Sequence, residues 1–64
     1  MYKILDSKYN SGESNKRCCD IYCDTIADLP SKEDIAKDFI DTGSWAWIGK
    51  DRTFKTLDSN GQWI

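Results

Sequence analysis

The C-terminal third of the chain, residues 43–64, constrains the fold most strongly, because it contains all three tryptophans and two turn signals. The turn signals are GKDR at residues 49–52 and DSNG at residues 58–61, and they divide the stretch into three short runs. Each run is rich in the aromatic, β-branched and large aliphatic side chains that favour strands. Asn60 and Gly61 tolerate the positive φ that tight hairpin turns require. The stretch therefore predicts a three-stranded antiparallel meander.

Alternation within the first run of this meander separates two kinds of side chain. Successive strand residues point to opposite sides of a sheet, so Trp45 and Trp47 are predicted on one face and Ala46 and Ile48 on the other. An aromatic side chain buries roughly 150–250 Å², so a few rings dominate the surface or the core of so small a domain.

Length and charge limit the classes of protein to which the chain can belong. Its 64 residues predict one domain, residues 1–64, which is marginally stable because a domain of this size buries only about 60% of the surface of its unfolded chain. The 9 basic and 11 acidic residues give a net charge of −2. Proteins that bind nucleic acid or anionic membranes usually have a basic surface, so the charge argues against both of these functions. The apolar runs are too short for a transmembrane span or a signal peptide, so we expect synthesis in the cytoplasm without a standard export leader.

The absence of histidine bears most directly on catalysis. It removes the commonest general base, the Ser-His-Asp triad and every histidine metal ligand. Carboxylates are numerous, and Asp20 and Asp24 share one face of a predicted strand. A glycosidase also needs a deep sugar cleft, which 64 residues hardly provide, so we interpret the acids as caps, turns and solvated faces. We expect no enzymatic activity and no catalytic residues.

The N-terminal region, residues 1–22, is predicted to contain a strand and a mobile loop. Residues 1–5 have strand character, and residues 6–16 have the composition of a loop. Residues 17–25 predict a second strand with one fully apolar face. That face, which we expect to point inward, consists of Cys19, Ile21 and Cys23.

The three cysteines, Cys18, Cys19 and Cys23, are interpreted as reduced thiols. A tetrahedral zinc site needs four ligands, so one chain would need an acidic fourth ligand or a second subunit, and we expect no metal and no cofactor. Four strand residues span about 13 Å and a disulfide needs Cα atoms within about 7 Å, which excludes a Cys19–Cys23 bridge within one strand. A Cys18–Cys19 ring and an intermolecular bridge remain open alternatives.

A short helix is predicted over residues 32–41. Ser31 and Asp34 form the [ST]-x-x-[DE] capping box at its start, and Gly43 suits the left-handed position after its end. Its apolar stripe, expected to face the core, contains Ile35, Phe39 and Ile40. The fold class is therefore α+β: a small, mostly antiparallel sheet of four to five short strands, ending in the meander, with one short helix packed on it.

The aromatic side chains of the meander are the remaining candidate site. If they are buried they form the core, and if they are exposed they form an interaction surface. A helix covers only one side of a thin sheet, so rings on the other side need a second subunit or another protein to cover them. We expect homo-oligomerisation or multi-copy docking, with the loop at residues 7–16 contributing to the contact. The predicted aromatic surface consists of Trp45, Trp47, Phe54 and Trp63.

Three segments of residues 23–64 carry a resemblance to a known type of protein module. They are CDTIADLP at residues 23–30, GSWAWI at residues 43–48 and LDSNGQWI at residues 57–64. Their order and spacing resemble a small module that recurs in virion proteins of tailed phages and prophages, among them head-fibre, decoration and tail-associated proteins. Because the module makes up most of this chain, the resemblance implies a small accessory protein on the virion surface rather than a long fibre.

The function implied by the resemblance is that of a bacteriophage structural protein, made in the host cytoplasm and located in the virion. It would dock on the capsid or the tail, and its partners would be other virion proteins or copies of itself. We expect it to bind neither nucleic acid nor a membrane. One alternative is a carbohydrate- or host-protein-binding module that uses the same tryptophans. Another is a small acidic regulator or inhibitor encoded by a prophage.

Overall fold

The computed structural model describes residues 1–9 and 15–64, which form a small α+β domain as predicted. Four strands form one sheet in the order β1-β2-β3-β4. The strands are β1 (Tyr2–Tyr9), β2 (Arg17–Cys23), β3 (Trp45–Ile48) and β4 (Thr53–Thr56). A 3₁₀ helix (Ile26–Asp28) and an α-helix, α1 (Lys32–Lys37), lie between β2 and β3.

The sheet is mixed, because its central pair, β2 and β3, is parallel. The two outer pairings, β1 with β2 and β3 with β4, are antiparallel. A parallel pair requires a crossover that returns the chain to the starting edge, and the 3₁₀ helix and α1 provide it. The predicted meander is present in outline, since β3 and β4 form a hairpin and the last run pairs through one bridge, Leu57 with Trp63.

The first strand is longer than predicted. β1 continues through residues 6–9, which the sequence assigned to a loop, and a bulge between Ile4 and Asp6 shifts its register against β2. The prediction was wrong there because polar side chains are compatible with an edge strand that has one side in solvent. The rest of the predicted mobile loop, residues 10–14, lies outside the described residues. β2 ends at Cys23, two residues earlier than expected.

The core lies on one side of the sheet. The predicted inward face of β2 is confirmed, since Cys19, Ile21 and Cys23 are buried. Ala46 and Ile48 of β3 are also fully buried. The residues that cover this face from outside the strands are Leu29, Ile35, Ile40, Leu57 and Trp63. The crossover and the C-terminal segment therefore shield one sheet face.

The capping box that begins α1 is confirmed. The Ser31 hydroxyl accepts a hydrogen bond from the Asp34 amide at 3.2 Å, and the Asp34 carboxylate accepts one from the Ser31 amide at 3.2 Å. These two bonds satisfy backbone donors that an uncapped helix leaves unpaired.

The end of α1 differs from the prediction. The helix stops at Lys37, and Phe39, with φ of 56°, occupies the left-handed position expected for Gly43. The Ile40 amide donates to the Ile35 carbonyl at 3.0 Å, and the Phe39 amide to the Ala36 carbonyl at 3.4 Å, which is the Schellman pattern. Ile35 and Ile40 pack against the core as predicted, but the Phe39 side chain is 50% exposed. Its inward placement was wrong because the left-handed backbone at Phe39 breaks the helical spacing from Ile35, and the next residue, Ile40, packs against the core instead.

Phe39→Gly is expected to be about 1 kcal/mol more stable to unfolding than Phe39→Ala. Both changes remove the ring, and only glycine adopts positive φ without a clash of its β-carbon. Urea denaturation followed by far-UV circular dichroism measures the difference. Equal stabilities for the two variants would show that Phe39 does not hold this backbone conformation in solution.

Candidate functional site

The sheet side opposite the core carries a row of partly exposed aromatic side chains, called here the open face. Its aromatic residues are Tyr22 on β2, Trp45 and Trp47 on β3, and Phe54 on β4, and Asp20 and Thr56 lie on either side of Trp45 on the same face. The aromatic residues are 37% exposed at Tyr22, 38% at Trp45, 37% at Trp47 and 60% at Phe54. Among the described residues, those that pack against the core cluster from outside the strands, Leu29, Ile35 and Trp63, include none of these rings.

The rings of the open face form one contiguous surface. Trp47 lies directly opposite Phe54 in the β3–β4 pair and beside Tyr22 in the β2–β3 pair. The rings of Trp45 and Phe54 are 6.4 Å apart with their planes at 73°, an edge-to-face contact. An open depression of about 410 Å³ is lined by Trp45, Trp47, Phe54 and Thr56. The lining is almost entirely hydrocarbon and aromatic.

The pattern of β3 determines which residues reach this surface. Ala46 and Ile48 are 0% exposed, so the strand register is held by burial of its aliphatic residues. A slip by one residue would bring the indoles of Trp45 and Trp47 into a space occupied by Ala46 and Ile48. Burial of Ala46 and Ile48 therefore places both tryptophans on the open face.

Tyr22 is held at the border of the open face by two neighbours. A β-carbon on residue 49 would lie 2.5 Å from the Tyr22 hydroxyl, so Gly49 provides the space for the phenol ring. A hydrogen bond with Asp24 raises the pKa of Tyr22. Tyr22 was not predicted to belong to the aromatic surface, although the alternation of β2 already placed it on the face opposite Ile21.

Trp63 does not belong to the open face. It pairs with Leu57, which is 3% exposed, and packs against the core cluster on the other side of the sheet. Its indole Nε1 donates a hydrogen bond to the Pro30 carbonyl at 3.0 Å. The structure thus brings together Trp45, Trp47 and Phe54 and separates Trp63 from them.

The loop predicted to contribute to the contact surface is only partly described. Ser7 pairs with Cys19 and Lys8 with Cys18 in β1, which is separated from β3 by β2. Ser7 and Lys8 are thus two strands away from the tryptophans. Residues 10–14 lie outside the described part of the chain.

All three cysteines are free, and two of them lie in the core. Burial raises the pKa of the Cys19 thiol and of the Cys23 thiol, which disfavours the reactive thiolate. The Cys19 amide donates to the hydroxyl of Ser44, which is 1% exposed, at 2.9 Å. Within residues 1–9 and 15–64, no group of three or more Cys, Asp or Glu side chains is placed to hold a metal ion.

Ellman's reagent is expected to modify Cys18 in the folded protein and to leave Cys19 and Cys23 unmodified until the chain unfolds. Cys18 is partly exposed, whereas the other two are buried with raised thiol pKa values. Peptide mapping after labelling with and without urea measures the modification of each residue. Equal labelling of Cys18 and Cys23 under native conditions would contradict the burial of the β2 face.

Comparison with known proteins finds no matching family model, curated protein or solved structure. In the described part of the chain, no helix is both long enough and apolar enough to cross a membrane.

Proposed function

We propose that this chain is a non-enzymatic bacteriophage accessory protein that docks on another protein of the virion through its open face. The observation that carries the docking proposal is the row of Trp45, Trp47 and Phe54, exposed side by side on one sheet face. The phage setting is supported by the sequence resemblance of residues 23–64.

The composition of the open face favours a protein partner. Large contiguous apolar patches are uncommon on the surfaces of monomeric proteins and mark interaction sites. Tryptophan and tyrosine are also enriched among the residues that dominate binding energy. Covering Trp45, Trp47 and Phe54 removes apolar surface from water at about 25 cal/mol per Å². Docking on a capsid or tail surface that has a matching apolar patch would be stabilised by this free energy at each docking site.

The ring geometry makes a protein partner a better fit than a sugar. The Trp45 and Phe54 planes meet at 73°, so they do not form one flat stacking platform. Of the residues lining the depression, Thr56 alone has a side-chain hydroxyl, and none carries a charge. A sugar site needs several polar groups to replace the water bound to the sugar hydroxyls. The exposed indoles are nevertheless the feature on which the rival carbohydrate- or host-protein-binding function rests.

The test is co-purification with phage particles. A tagged copy of the chain is expressed during lytic growth, and particles are purified through a density gradient and analysed by quantitative mass spectrometry. The proposal expects the chain in intact particles at a fixed ratio to the major capsid or tail protein. Its absence from particles, with saturable binding to oligosaccharides on a glycan array, would favour the rival function. Absence from particles without glycan binding would contradict both the virion role and the carbohydrate-binding form of the rival function.

A further inference from the structure

The apolar part of the open face is small and has a polar border. Its four rings are between 37% and 60% exposed, and they offer a partner roughly 350 Å² of surface, since an aromatic side chain has roughly 150–250 Å² to bury. On the neighbouring strand β1 the same side of the sheet is charged, with Lys3 opposite Tyr22 and Asp6 opposite Asp20. A stable complex of two folded proteins buries about 800 Å² on each partner. The area of the rings therefore suits a short segment of a partner better than a second copy of this chain.

Three of the rings form a row that crosses the strands. Tyr22 on β2, Trp47 on β3 and Phe54 on β4 are register partners. Neighbouring strands lie about 4.8 Å apart, so the two ends of the row, Tyr22 and Phe54, are separated by about 9.6 Å. A polyproline II helix has three residues per turn and a rise of about 3.1 Å, which gives a repeat of about 9.3 Å. Such a helix, lying across the strands, brings two equivalent side chains to the two ends of the row.

The open face also offers hydrogen-bond donors without partners. An indole nitrogen only donates, and neither Trp45 nor Trp47 has a hydrogen bond from its Nε1 within residues 1–9 and 15–64. Proline has no N–H, and a polyproline II helix makes no internal hydrogen bonds, so its carbonyl oxygens are free to accept. The donors of the face and the acceptors of such a segment therefore complement each other.

The chain itself contains one contact of this kind. Leu29 has φ of −59° and ψ of 144°, close to the polyproline II conformation, and Pro30 follows it. The Trp63 indole donates to the Pro30 carbonyl at 3.0 Å. This contact lies on the core side of the sheet, where tryptophan and an extended proline segment pair within the fold. On the open face the tryptophans are present and the proline segment has to come from a partner.

We propose that the partner of the open face is a proline-rich segment in the polyproline II conformation, lying across β2, β3 and β4. Prolines three residues apart contact the rings of Tyr22 and Phe54, and Trp47 packs between them. The indole N–H groups donate to carbonyl oxygens of the segment. Aromatic grooves bind such segments well because the segment is already extended and loses little entropy on binding. This inference rests on the proposed docking role of the open face and adds the chemistry of the partner.

The test is an NMR titration of the ¹⁵N-labelled chain with two blocked peptides, Ac-PPPPPPPP-NH₂ and Ac-LSSLSSLS-NH₂. The second peptide has apolar side chains at the same three-residue spacing but lacks proline. We expect saturable shifts of the Trp45 and Trp47 indole N–H signals with octaproline and none with the leucine peptide. The Trp63 indole signal, on the other side of the sheet, is expected to stay in place. No saturable shift with octaproline, or equal binding of the leucine peptide, would overturn the proposal.

Phe54→Thr removes one end of the row and is expected to weaken octaproline binding about fivefold or more. Phe54 is 60% exposed and threonine suits a strand, so the Trp63 indole signal should stay at its wild-type position and show that the variant is folded. The matched control is Ile26→Thr, which removes an exposed apolar side chain elsewhere and is expected to bind octaproline as the wild type does. Wild-type affinity in Phe54→Thr, or equal loss in both variants, would rule out the row as the binding site.

The proline-rich partner and the virion role fail in different experiments. Lack of octaproline binding overturns the proline-rich partner even if the chain co-purifies with phage particles. Absence of the chain from particles contradicts the virion role, whereas octaproline binding by the open face would still support a proline-rich partner.

Discussion

Ile21→Ala is expected to lower the free energy of unfolding by about 3 kcal/mol or more. Ile21 is 0% exposed at the centre of β2, and removing a buried isoleucine side chain costs both its transfer energy and the cavity left behind, about 2–5 kcal/mol in total. A domain of this length has only about 3–10 kcal/mol of stability. The variant is therefore expected to have a urea midpoint far below that of the wild type, or to be unfolded at 37 °C.

Ile26→Ala provides the matched control for this prediction. It removes the same atoms from the 3₁₀ helix, where Ile26 is 51% exposed. The expected loss is below about 1 kcal/mol, since most surface substitutions have small effects. Urea denaturation of Ile21→Ala and Ile26→Ala measures the loss in the free energy of unfolding for each variant. Losses of similar size would mean that the Cys19, Ile21 and Cys23 face does not form the core.

Trp47→Thr is expected to reduce binding to phage particles about 30-fold or more, because aromatic residues at the centre of an interface commonly contribute 2 kcal/mol or more. Threonine is β-branched and retains the strand preference of the site, so the far-UV spectrum should stay that of the folded chain. Co-sedimentation with purified particles at increasing chain concentration measures the change.

The control for Trp47→Thr is Ile26→Thr, which removes a large exposed apolar side chain outside the open face. This variant is expected to bind particles as the wild type does. Equal loss of binding in both variants would indicate a general effect on folding or solubility, and unchanged binding of Trp47→Thr would place the docking surface elsewhere.

The alternation of side chains made much of the fold predictable. The fully apolar face of β2 predicted the burial of Ile21, and the two-residue period of a strand placed Ala46 on the face opposite Trp45 and Trp47. Which face of β3 the core covers did not follow from that period. The capping box at Ser31 also identified the start of α1. The parallel pairing of β2 with β3 did not follow, because it depends on where the crossover returns the chain, and local patterns do not encode that distance.

The aromatic surface was predictable only where a strand continued without interruption. Trp45 and Trp47 share one strand, so their common face was certain once that strand formed. Trp63 follows the turn at residues 58–61, and its face depends on how many residues the turn uses before pairing resumes opposite Leu57. Phe39 shows the same limit in a helix. Its helical spacing from Ile35 did not predict its face, because α1 ends at Lys37, before Phe39.

Hydroxyl-radical footprinting of the tryptophans tests the central claim most directly, since it reports which rings solvent reaches. Oxidation of Trp45 and Trp47 is measured by mass spectrometry in the free chain and in the chain bound to phage particles. We expect both residues to be oxidised readily in the free chain and strongly protected on the particle. Strong protection already in the free chain, or equal oxidation in the two states, would contradict docking through the open face.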